Sequence, residues 1–565
     1  TTASHNAAFG NNALYTNSTG EYNTALGAST LQGNTTADNN TAVGYQALYV
    51  NTTGASNVAV GNYALDANTT ADNNTGLGYA ALTGNTTGAQ NTAVGGYALQ
   101  VNTTGDDNTG LGYNTLGGNT TGSQNTAVGR NALDANTTAD NNTAIGYNAL
   151  TANTTGHSLT AAGRNALAAN TTGIVNSAFG YYALAANTTG ENNNAFGRGA
   201  LVTNTTSNNN SAFGDYALQA NTAGNNSAFG YRSLYTNSTG TSNVAVGAQA
   251  LYTNNADSNT AVGYYALKEN TTGNSNAALG YQALEQNTTA SDNTGIGYLA
   301  LTDNTTGARN TALGAGALGD NTTADNNTAI GAQALRLNTT GTACVAVGAY
   351  ALDSNTTGEH NTAVGYAAGT SNTTGQDTTS IGYGALSGNT TGNHSTAVGK
   401  QALQNNTTAH DNTAVGYQAL KANTTGLQNV GVGASALYTS TTSSNNTAIG
   451  WNAMKVANGA VDSVAVGSEA LASVTTGDYN VAIGFQALKS ATTGTENTAV
   501  GYQALENNTA SSNTSVGNNA LNANTTGTQN VAIGYDALKA NTTTNQNTAI
   551  GVNALLVNTA SENTA

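Results

Sequence analysis

Apolar and polar residues recur with a fixed period along the chain. One copy reads Asn-Thr-Ala-Val-Gly-Tyr-Gln-Ala-Leu-Tyr-Val-Asn-Thr-Thr-Gly-Ala-Ser over residues 40–56, and Asn57 opens the next. The opening Asn recurs every 17 residues from Asn6 through Asn142, and the register continues to Asn563. A fixed period of this length is typical of repeat architectures, in which each copy buries its apolar side chains against its neighbours.

Four of these intervals are 16 residues long instead of 17. They run from Asn210 to Asn226, Asn243 to Asn259, Asn497 to Asn513, and Asn547 to Asn563. Each is altered in the segment that elsewhere reads Asn-Thr-Thr-Gly, as at residues 221–224, Asn-Thr-Ala-Gly. Because loops accept deletions more readily than strands, we predict that this segment is a turn.

The substitution pattern predicts two short strands in each repeat. After the opening Asn come a small residue, then Ala or Gly, then an aliphatic or aromatic residue, then Gly, as at residues 177–180. Two variable positions, an Ala-Leu pair and a second fixed Asn follow, as at residues 183–187. Short apolar runs bounded by Gly and Asn are typical of strands and turns, and the recurring Gly disfavours a helix.

Together these features predict an all-β fold, a parallel β-solenoid in which each repeat is one rung. We expect residues 1–565 to form a single array of about 33 rungs without an internal domain boundary. At an inter-strand spacing of about 4.8 Å the array would be about 160 Å long. One Val and one Leu per rung cannot offset the entropy of ordering 17 residues, so stacking between rungs must supply the difference.

Fixed residues on both faces of each strand suggest contacts with other chains. Neighbouring residues of a strand point to opposite faces, yet Ala42 and Val43 are both fixed, and so are Ala47 and Leu48. We infer that one face fills the rung and the other packs against further copies of the chain. Three chains are the simplest closed arrangement, and a dimer or a lateral sheet would also satisfy the pattern.

The two fixed Asn of each repeat are candidate ladder residues. Opening Asn residues in successive copies would stack. Their side-chain amides would then form hydrogen bonds with the backbone of the turns and with one another. These ladder residues include Asn40, Asn57, Asn74 and Asn91. The second Asn lies in an Asn-Thr-Thr triplet that matches the N-glycosylation acceptor motif. The candidate glycosylation sites include Asn34, Asn51, Asn68 and Asn85, although a laddered Asn has no room for a sugar.

Composition and charge exclude several function classes. The formal net charge is -16 with only 12 Lys and Arg, which leaves no basic patch able to bind nucleic acid. No apolar run approaches the roughly 18 residues of a membrane-spanning helix. The single cysteine, Cys344, cannot form an internal disulfide.

We assign no catalytic, cofactor-binding or metal-binding residues and predict that the protein is not an enzyme. The five His occupy variable turn positions, and His360 and His394 lie two rungs apart, too far for one metal ion. Acidic residues before the opening Asn, such as Asp38 and Asp72, are best explained by Asx-type turns. No paired-carboxylate or nucleophile arrangement recurs in the repeats.

Tyr and Thr columns are the remaining candidate surfaces. A stripe of Tyr follows the strand-ending Gly, and its glycan-stacking candidates are Tyr45, Tyr79, Tyr113 and Tyr147. The alternative is aromatic packing between rungs. Thr columns at solenoid spacing suggest an ice-binding face. The alternative explanation is that the Thr hydroxyls cap the turns.

Residues 40–48 and 412–420 both read Asn-Thr-Ala-Val-Gly-Tyr-Gln-Ala-Leu, and on this motif the chain resembles two classes of extracellular fibre. One is the repeat shaft of phage-type tail fibres. The other is the head of trimeric autotransporter adhesins, whose repeats read Asn-Ser-x-Ala-Ile-Gly. The resemblance implies a trimeric, left-handed parallel β-roll used for attachment, with no catalytic residues.

We therefore predict an extracellular protein of the cell surface or a virion that serves as a fibre or filament shaft with an attachment role. Its expected partners are further copies of itself, as a trimer or a lateral or end-to-end assembly, and cell-surface glycans. Carbohydrate binding through the Tyr stripe and ice binding through the Thr columns are the alternative functions. No cofactor, nucleic acid partner or membrane insertion is expected.

Overall fold

The structure is a computed structural model that describes residues 3–565. It contains two compact units, Thr1–Asn276 and Ala277–Ala565. Both are stacks of coils, one coil per repeat, and the described residues hold 33 strands of three residues and no helix. The predicted parallel β-solenoid with a 17-residue repeat is confirmed, while the absence of an internal domain boundary stays a prediction.

The strands of the first unit are β1 (Ala7–Phe9), β2 (Thr24–Leu26), β3 (Thr41–Val43), β4 (Val58–Val60), β5 (Thr75–Leu77), β6 (Thr92–Val94), β7 (Thr109–Leu111), β8 (Thr126–Val128), β9 (Thr143–Ile145), β10 (Thr160–Ala162), β11 (Ser177–Phe179), β12 (Asn194–Phe196), β13 (Ser211–Phe213), β14 (Ser227–Phe229), β15 (Val244–Val246) and β16 (Thr260–Val262).

The strands of the second unit are β17 (Ala277–Leu279), β18 (Thr294–Ile296), β19 (Thr311–Leu313), β20 (Thr328–Ile330), β21 (Val345–Val347), β22 (Thr362–Val364), β23 (Thr379–Ile381), β24 (Thr396–Val398), β25 (Thr413–Val415), β26 (Val430–Val432), β27 (Thr447–Ile449), β28 (Val464–Val466), β29 (Val481–Ile483), β30 (Thr498–Val500), β31 (Thr514–Val516), β32 (Val531–Ile533) and β33 (Thr548–Ile550).

Within each unit, successive strands pair in parallel with equivalent residues side by side. Ala42 pairs with Ala59, and the β17–β18 pair aligns Ala278 with Gly295 in the same register. The rest of the coil also bonds to its neighbour: the amide of Leu48 donates to the carbonyl of Ala64 at 3.0 Å. Each coil therefore satisfies its backbone groups mainly through the coils above and below it.

The 16-residue coils keep this register because the deletion falls in the predicted turn. Strands β13 and β14 still pair Ala212 with Ala228. In a full coil Nδ2 of Asn51 donates to the carbonyl three residues on, that of Gly54, whereas Nδ2 of Asn221 in the short coil donates to the carbonyl of Ala223, two residues on. One turn residue is lost and the strands are unaffected, which confirms the prediction for this segment.

The predicted second strand is wrong. The Ala-Leu pair lies in a turn, and Leu48 has a left-handed φ of 51°. This conformation breaks the alternation of a strand, so Ala47 and Leu48 are both fully buried inside the coil. The inference that this pair places one residue on an outer face is therefore also wrong, and of the two fixed pairs only that of Ala42 and Val43 in the strand has an outward member.

The core is a thin stack of small and aliphatic side chains. Each coil contributes the central residue of its strand and the Ala-Leu pair, for example Ala42, Ala47 and Leu48. The strand ends at Gly44 with φ 131°, and a Cβ there would lie 2.6 Å from the carbonyl oxygen of Gly61 in the next coil. Glycine is needed here because the two backbones approach too closely for any side chain.

Candidate functional site

For the surfaces of the coil we number its positions from the opening Asn, so that Asn40 is position 1 and Ser56 is position 17. Positions 2 and 4 are the two outward residues of each strand and together form the strand face. Positions 16 and 17 precede the strand and form the acidic edge. Positions 6 and 7 follow the strand and form the tyrosine edge.

The two Asn columns link coils through buried hydrogen bonds. The amide N–H of Asn57 donates to Oδ1 of Asn40 at 2.9 Å, and Asn51 Nδ2 donates to Oδ1 of Asn34 at 3.1 Å. Nδ2 atoms of both Asn40 and Asn51 also donate to the carbonyl of Gly54, at 3.0 and 2.9 Å. The same bonds extend the first column through Asn74 and Asn91. The predicted Asn ladder is confirmed.

The candidate glycosylation sites are members of the second ladder. Asn34, Asn51, Asn68 and Asn85 are fully buried. Their Nδ2 atoms, to which a sugar would be attached, donate hydrogen bonds within the stack. Glycosylation stays a prediction, and this burial argues against it because the coil would have to open before modification.

The second ladder is interrupted in four successive coils of the second unit. The Asn is replaced there by four buried residues, Ser440, Ala457, Val474 and Ala491. At the start of this interruption, Oδ1 of Asn423 and Oγ of Ser440 have no hydrogen-bond partner. Buried polar atoms without partners are destabilising, so the stack is weakened where this interruption begins.

The predicted Tyr stripe is a continuous aromatic stack over five coils. Tyr45 packs edge to face on Tyr63, with ring centroids 5.5 Å apart, and Tyr63 packs on Tyr79 at 6.0 Å. Tyr97 then joins Tyr79 to Tyr113 at 5.3 and 5.7 Å. The sequence interpretation missed the linking Tyr because they lie at position 7 of alternate coils, one place after the predicted stripe.

Arginine continues the stack where tyrosine stops. The guanidinium of Arg130 lies 5.7 Å from the ring centroid of Tyr113, and Arg164 lies 5.7 and 5.9 Å from the rings of Tyr147 and Tyr181. Cation–π contacts of this kind stabilise by about 0.5–1 kcal/mol at exposed sites. Tyr45, Tyr79, Tyr113 and Tyr147 remain 43–51% exposed. The aromatic packing between coils and an accessible aromatic surface are therefore both present.

The strand face carries no charge in any strand from β1 to β33. Position 2 is mostly Thr, and position 4 is aliphatic or aromatic throughout, with Ala162 as its smallest member. The position 4 side chains point away from the core, as in Leu111, which is 47% exposed. Phe179, Phe196 and Phe213 stack with centroids 4.6 Å apart on this surface. Within each unit the result is a long, uncharged and partly apolar surface.

The two edges differ strongly in charge. Of the 28 acidic residues, 17 lie on the acidic edge, where Arg309 is the only basic residue. The tyrosine edge carries five basic and three acidic residues. The basic residues of the tyrosine edge are Arg130, Arg164, Arg198, Arg232 and Lys400. The strand face therefore lies between a negative edge and an aromatic edge with a small positive excess.

Acidic and His side chains of the acidic edge bond between coils. Asp38 Oδ1 accepts the amide N–H of Glu21 in the preceding coil at 2.7 Å, so the Asx turn predicted for this Asp is replaced by a bond between coils. His360 and His394 flank Asp377, with N···O distances of 3.5 and 3.6 Å. Among the described residues, no three His, Cys, Asp or Glu side chains come close enough to hold a metal ion.

Cys344 occupies position 1, in the first Asn ladder. Its amide donates to Oδ1 of Asn327 at 2.8 Å, as an Asn there would. Burial raises the pKa of the Cys344 thiol to about 11. A buried thiol with a raised pKa is unreactive, so this cysteine acts as a small core residue.

A comparison with models of known protein families finds no match, and a comparison with curated proteins finds none either. Among residues 3–565, no helix has both the length and the hydrophobicity needed to cross a bilayer.

Proposed function

We propose that this protein is the shaft of an extracellular fibre or filament used for attachment. The observation that supports this most directly is the regular stacking of coils, in which each repeat adds the same strand, turns and Asn bonds to the one before. Such a structure adds about 4.8 Å per coil. The 16 coils of the first unit would then span roughly 75 Å.

The surface chemistry is consistent with a protein that works outside the cell and as an assembly. The resemblance of residues 40–48 to tail-fibre and adhesin-head repeats supports the extracellular location. A long uncharged face between two polar edges supports assembly with further copies, for which three chains are the simplest closed arrangement. The proposed role is mechanical: to project a binding surface away from its carrier.

Immunogold electron microscopy tests the location. Antibodies raised against the whole chain would be applied to intact cells or particles that carry the protein. We expect label on projections outside the surface, and loss of attachment when the same antibodies are present. Label confined to the interior of permeabilised samples would contradict the proposal.

The exposed tyrosine edge favours glycan binding as a second candidate function. Tyr181, Tyr182, Arg198 and Tyr216 line a hollow of about 220 Å³, which is smaller than the roughly 300–1,000 Å³ of most ligand pockets. Stacking of a sugar on exposed rings would need no deeper pocket. Binding on a glycan array that disappears in a Tyr45→Ala, Tyr79→Ala variant would support this function.

A further inference from the structure

The strand face carries an apolar column that the fold of one chain does not explain. Position 4 points out of the coil, where a polar residue would serve the fold equally well. Yet every strand has an apolar residue there, including Val60, Leu111 and Ile145, which are 38%, 47% and 47% exposed. An exposed apolar surface of this extent marks a site of interaction.

The area of the strand face is sufficient for a stable interface. A strand of three residues is about 10 Å long, and coils repeat about every 4.8 Å, so each coil contributes about 50 Å². The 16 strands of the first unit give about 800 Å² in total. A specific interface of standard size buries about 800 Å² on each partner, which the strand face of the first unit matches.

The partner surface must have the same repeat spacing as the strand face. The surface presents the same Thr and aliphatic pair at every coil, so a complementary surface needs the same spacing over the same distance. A second copy of this chain has that spacing. It also brings no charge into the contact, because its own strand face carries none.

The charges of the two edges select the direction of the second copy. Two facing strand faces can be related by a two-fold axis that runs parallel to the coil axis, or by a two-fold axis that runs parallel to the strands. In the first case the copies run in the same direction, and the acidic edge of each lies beside the tyrosine edge of the other. In the second case they run in opposite directions, and acidic edge meets acidic edge.

Like charges brought together in this way disfavour the antiparallel arrangement. In the first unit the acidic edge has eight acidic and no basic residues, while the tyrosine edge has four basic residues and one acidic residue, Asp215. We propose that the strand face binds a second copy of this chain with the coil axes parallel. This inference rests on the proposed function, adds to it the surface and the direction of assembly, and makes the unit of assembly a pair of chains in place of three.

Paired lysine variants of the full chain test the surface. Val60→Lys with Leu111→Lys places charges on the strand face, and Val50→Lys with Val101→Lys is the control at position 11, where the Val residues are similarly exposed, at 37% and 41%. Sedimentation equilibrium of the wild type should give at least twice the chain mass of 56.1 kDa. The strand-face variant should associate at least about 100-fold more weakly, because it buries uncompensated charges, and the control should match the wild type.

Circular dichroism distinguishes a lost interface from a lost fold, since both variants should keep the wild-type spectrum. A wild type of 56.1 kDa, or a strand-face variant that associates as well as the control, would overturn the inference. Thermal hysteresis from a monomeric wild type would assign the Thr and aliphatic columns to ice instead, and would also overturn it. If the wild type is a monomer but the immunogold label is still found outside the cell, this inference fails and the proposed function stands.

Spin labels test the direction. Cys344→Ser removes the native thiol, and Ser395 and Ser463 already occupy the same position of other coils. A label at Thr24→Cys on β2 should then show a distance of about 15–30 Å to its mate, since facing sheets pack about 10 Å apart. A distance of about 60 Å or more, as expected for antiparallel first units, would refute the parallel arrangement.

Discussion

At the scale of single residues, each side chain is constrained chiefly by its own equivalent one coil away. Gly44 faces the carbonyl of Gly61, and the amide of Asn57 bonds to the side chain of Asn40. A substitution therefore acts on a neighbour that is 17 residues distant in sequence but stacked directly in space. The effect of a single substitution on stability can therefore be predicted from its contacts with that neighbour.

Gly44→Ala should destabilise the protein by about 3 kcal/mol or more, because φ is 131° and the added Cβ would overlap the backbone of Gly61. Gly96→Ala is the matched control. Its Cβ would meet only the Tyr113 ring, at 3.6 Å, so the variant should be as stable as the wild type or slightly more stable. Urea unfolding of both variants measures the difference, and equal losses would contradict the close approach described at Gly44.

Asp66→Asn should make stability less dependent on pH. Burial raises the pKa of Asp66 above its ordinary value of 3.8, although the Thr83 hydroxyl donates a hydrogen bond to it at 2.5 Å. The charged form is therefore disfavoured in the fold, and this penalty is relieved as pH falls through the raised pKa. At pH 7 the Asn variant should be the more stable, with the gain shrinking toward pH 3.5 in urea titrations. A gain that is constant with pH would contradict this origin.

At the scale of the coil, stability depends on whether the Asn ladders are continuous. Oδ1 of Asn204 lacks a partner next to a short coil, as Oδ1 of Asn423 does next to Ser440. The ladder resumes beyond the short coil, where Asn237 Nδ2 donates to Asn221 at 2.8 Å. Interruptions are thus local, and they can be repaired or introduced by exchanging one residue.

Ser440→Asn should raise the free energy of unfolding by up to about 1 kcal/mol, since the new Nδ2 would donate to Oδ1 of Asn423. The reverse exchange, Asn406→Ser, removes the donor that bonds Asn389 Oδ1 at 2.9 Å and should cost about 1–3 kcal/mol. Thermal unfolding followed by circular dichroism compares the two. Opposite signs are expected, and a loss in both would mean that the ladder does not set the local stability.

Deleting Thr53 should be tolerated, because it converts a full coil to the 16-residue form that the chain already contains at residues 210–225. Deleting Val43 from β3 should instead place Gly44 at position 4 and move every following residue of the coil by one place, which takes the glycine away from its close approach to Gly61 and destabilises the coil strongly. Hydrogen exchange of the strand amides would report either outcome. Equal protection in the two variants would contradict the assignment of the turn.

Spacing alone was enough to predict the coil, its parallel stacking, the turn and the Asn ladders, because identical residues recur wherever identical contacts do. The second strand was wrongly predicted because a left-handed Leu such as Leu48 is rare and leaves no signal in an apolar pair. The acidic edge was visible in principle: its charges share two positions of the repeat. Its relation to the tyrosine edge emerged only when the backbone showed that the strand lies between them.

At the scale of the whole molecule, stability is a sum of similar contacts between neighbouring coils. Cutting the chain between Asn276 and Ala277 should therefore leave each compact unit with nearly all of its own contacts. Residues 1–276 expressed alone should give the circular dichroism per residue of the full chain and melt within a few degrees of it. An unfolded spectrum would show instead that the first unit depends on the rest of the chain.

The equivalence of the coils also bears on how such a gene can change. Since Ala42 pairs with Ala59 as Ala59 pairs with Gly76, losing or gaining one entire copy leaves every remaining coil beside a neighbour of the same kind. Tandem DNA copies misalign during recombination, and each misalignment by one repeat removes or adds 17 codons without introducing a new contact. The reach of a unit can thus vary in inherited steps of about 4.8 Å, while its interior chemistry stays the same.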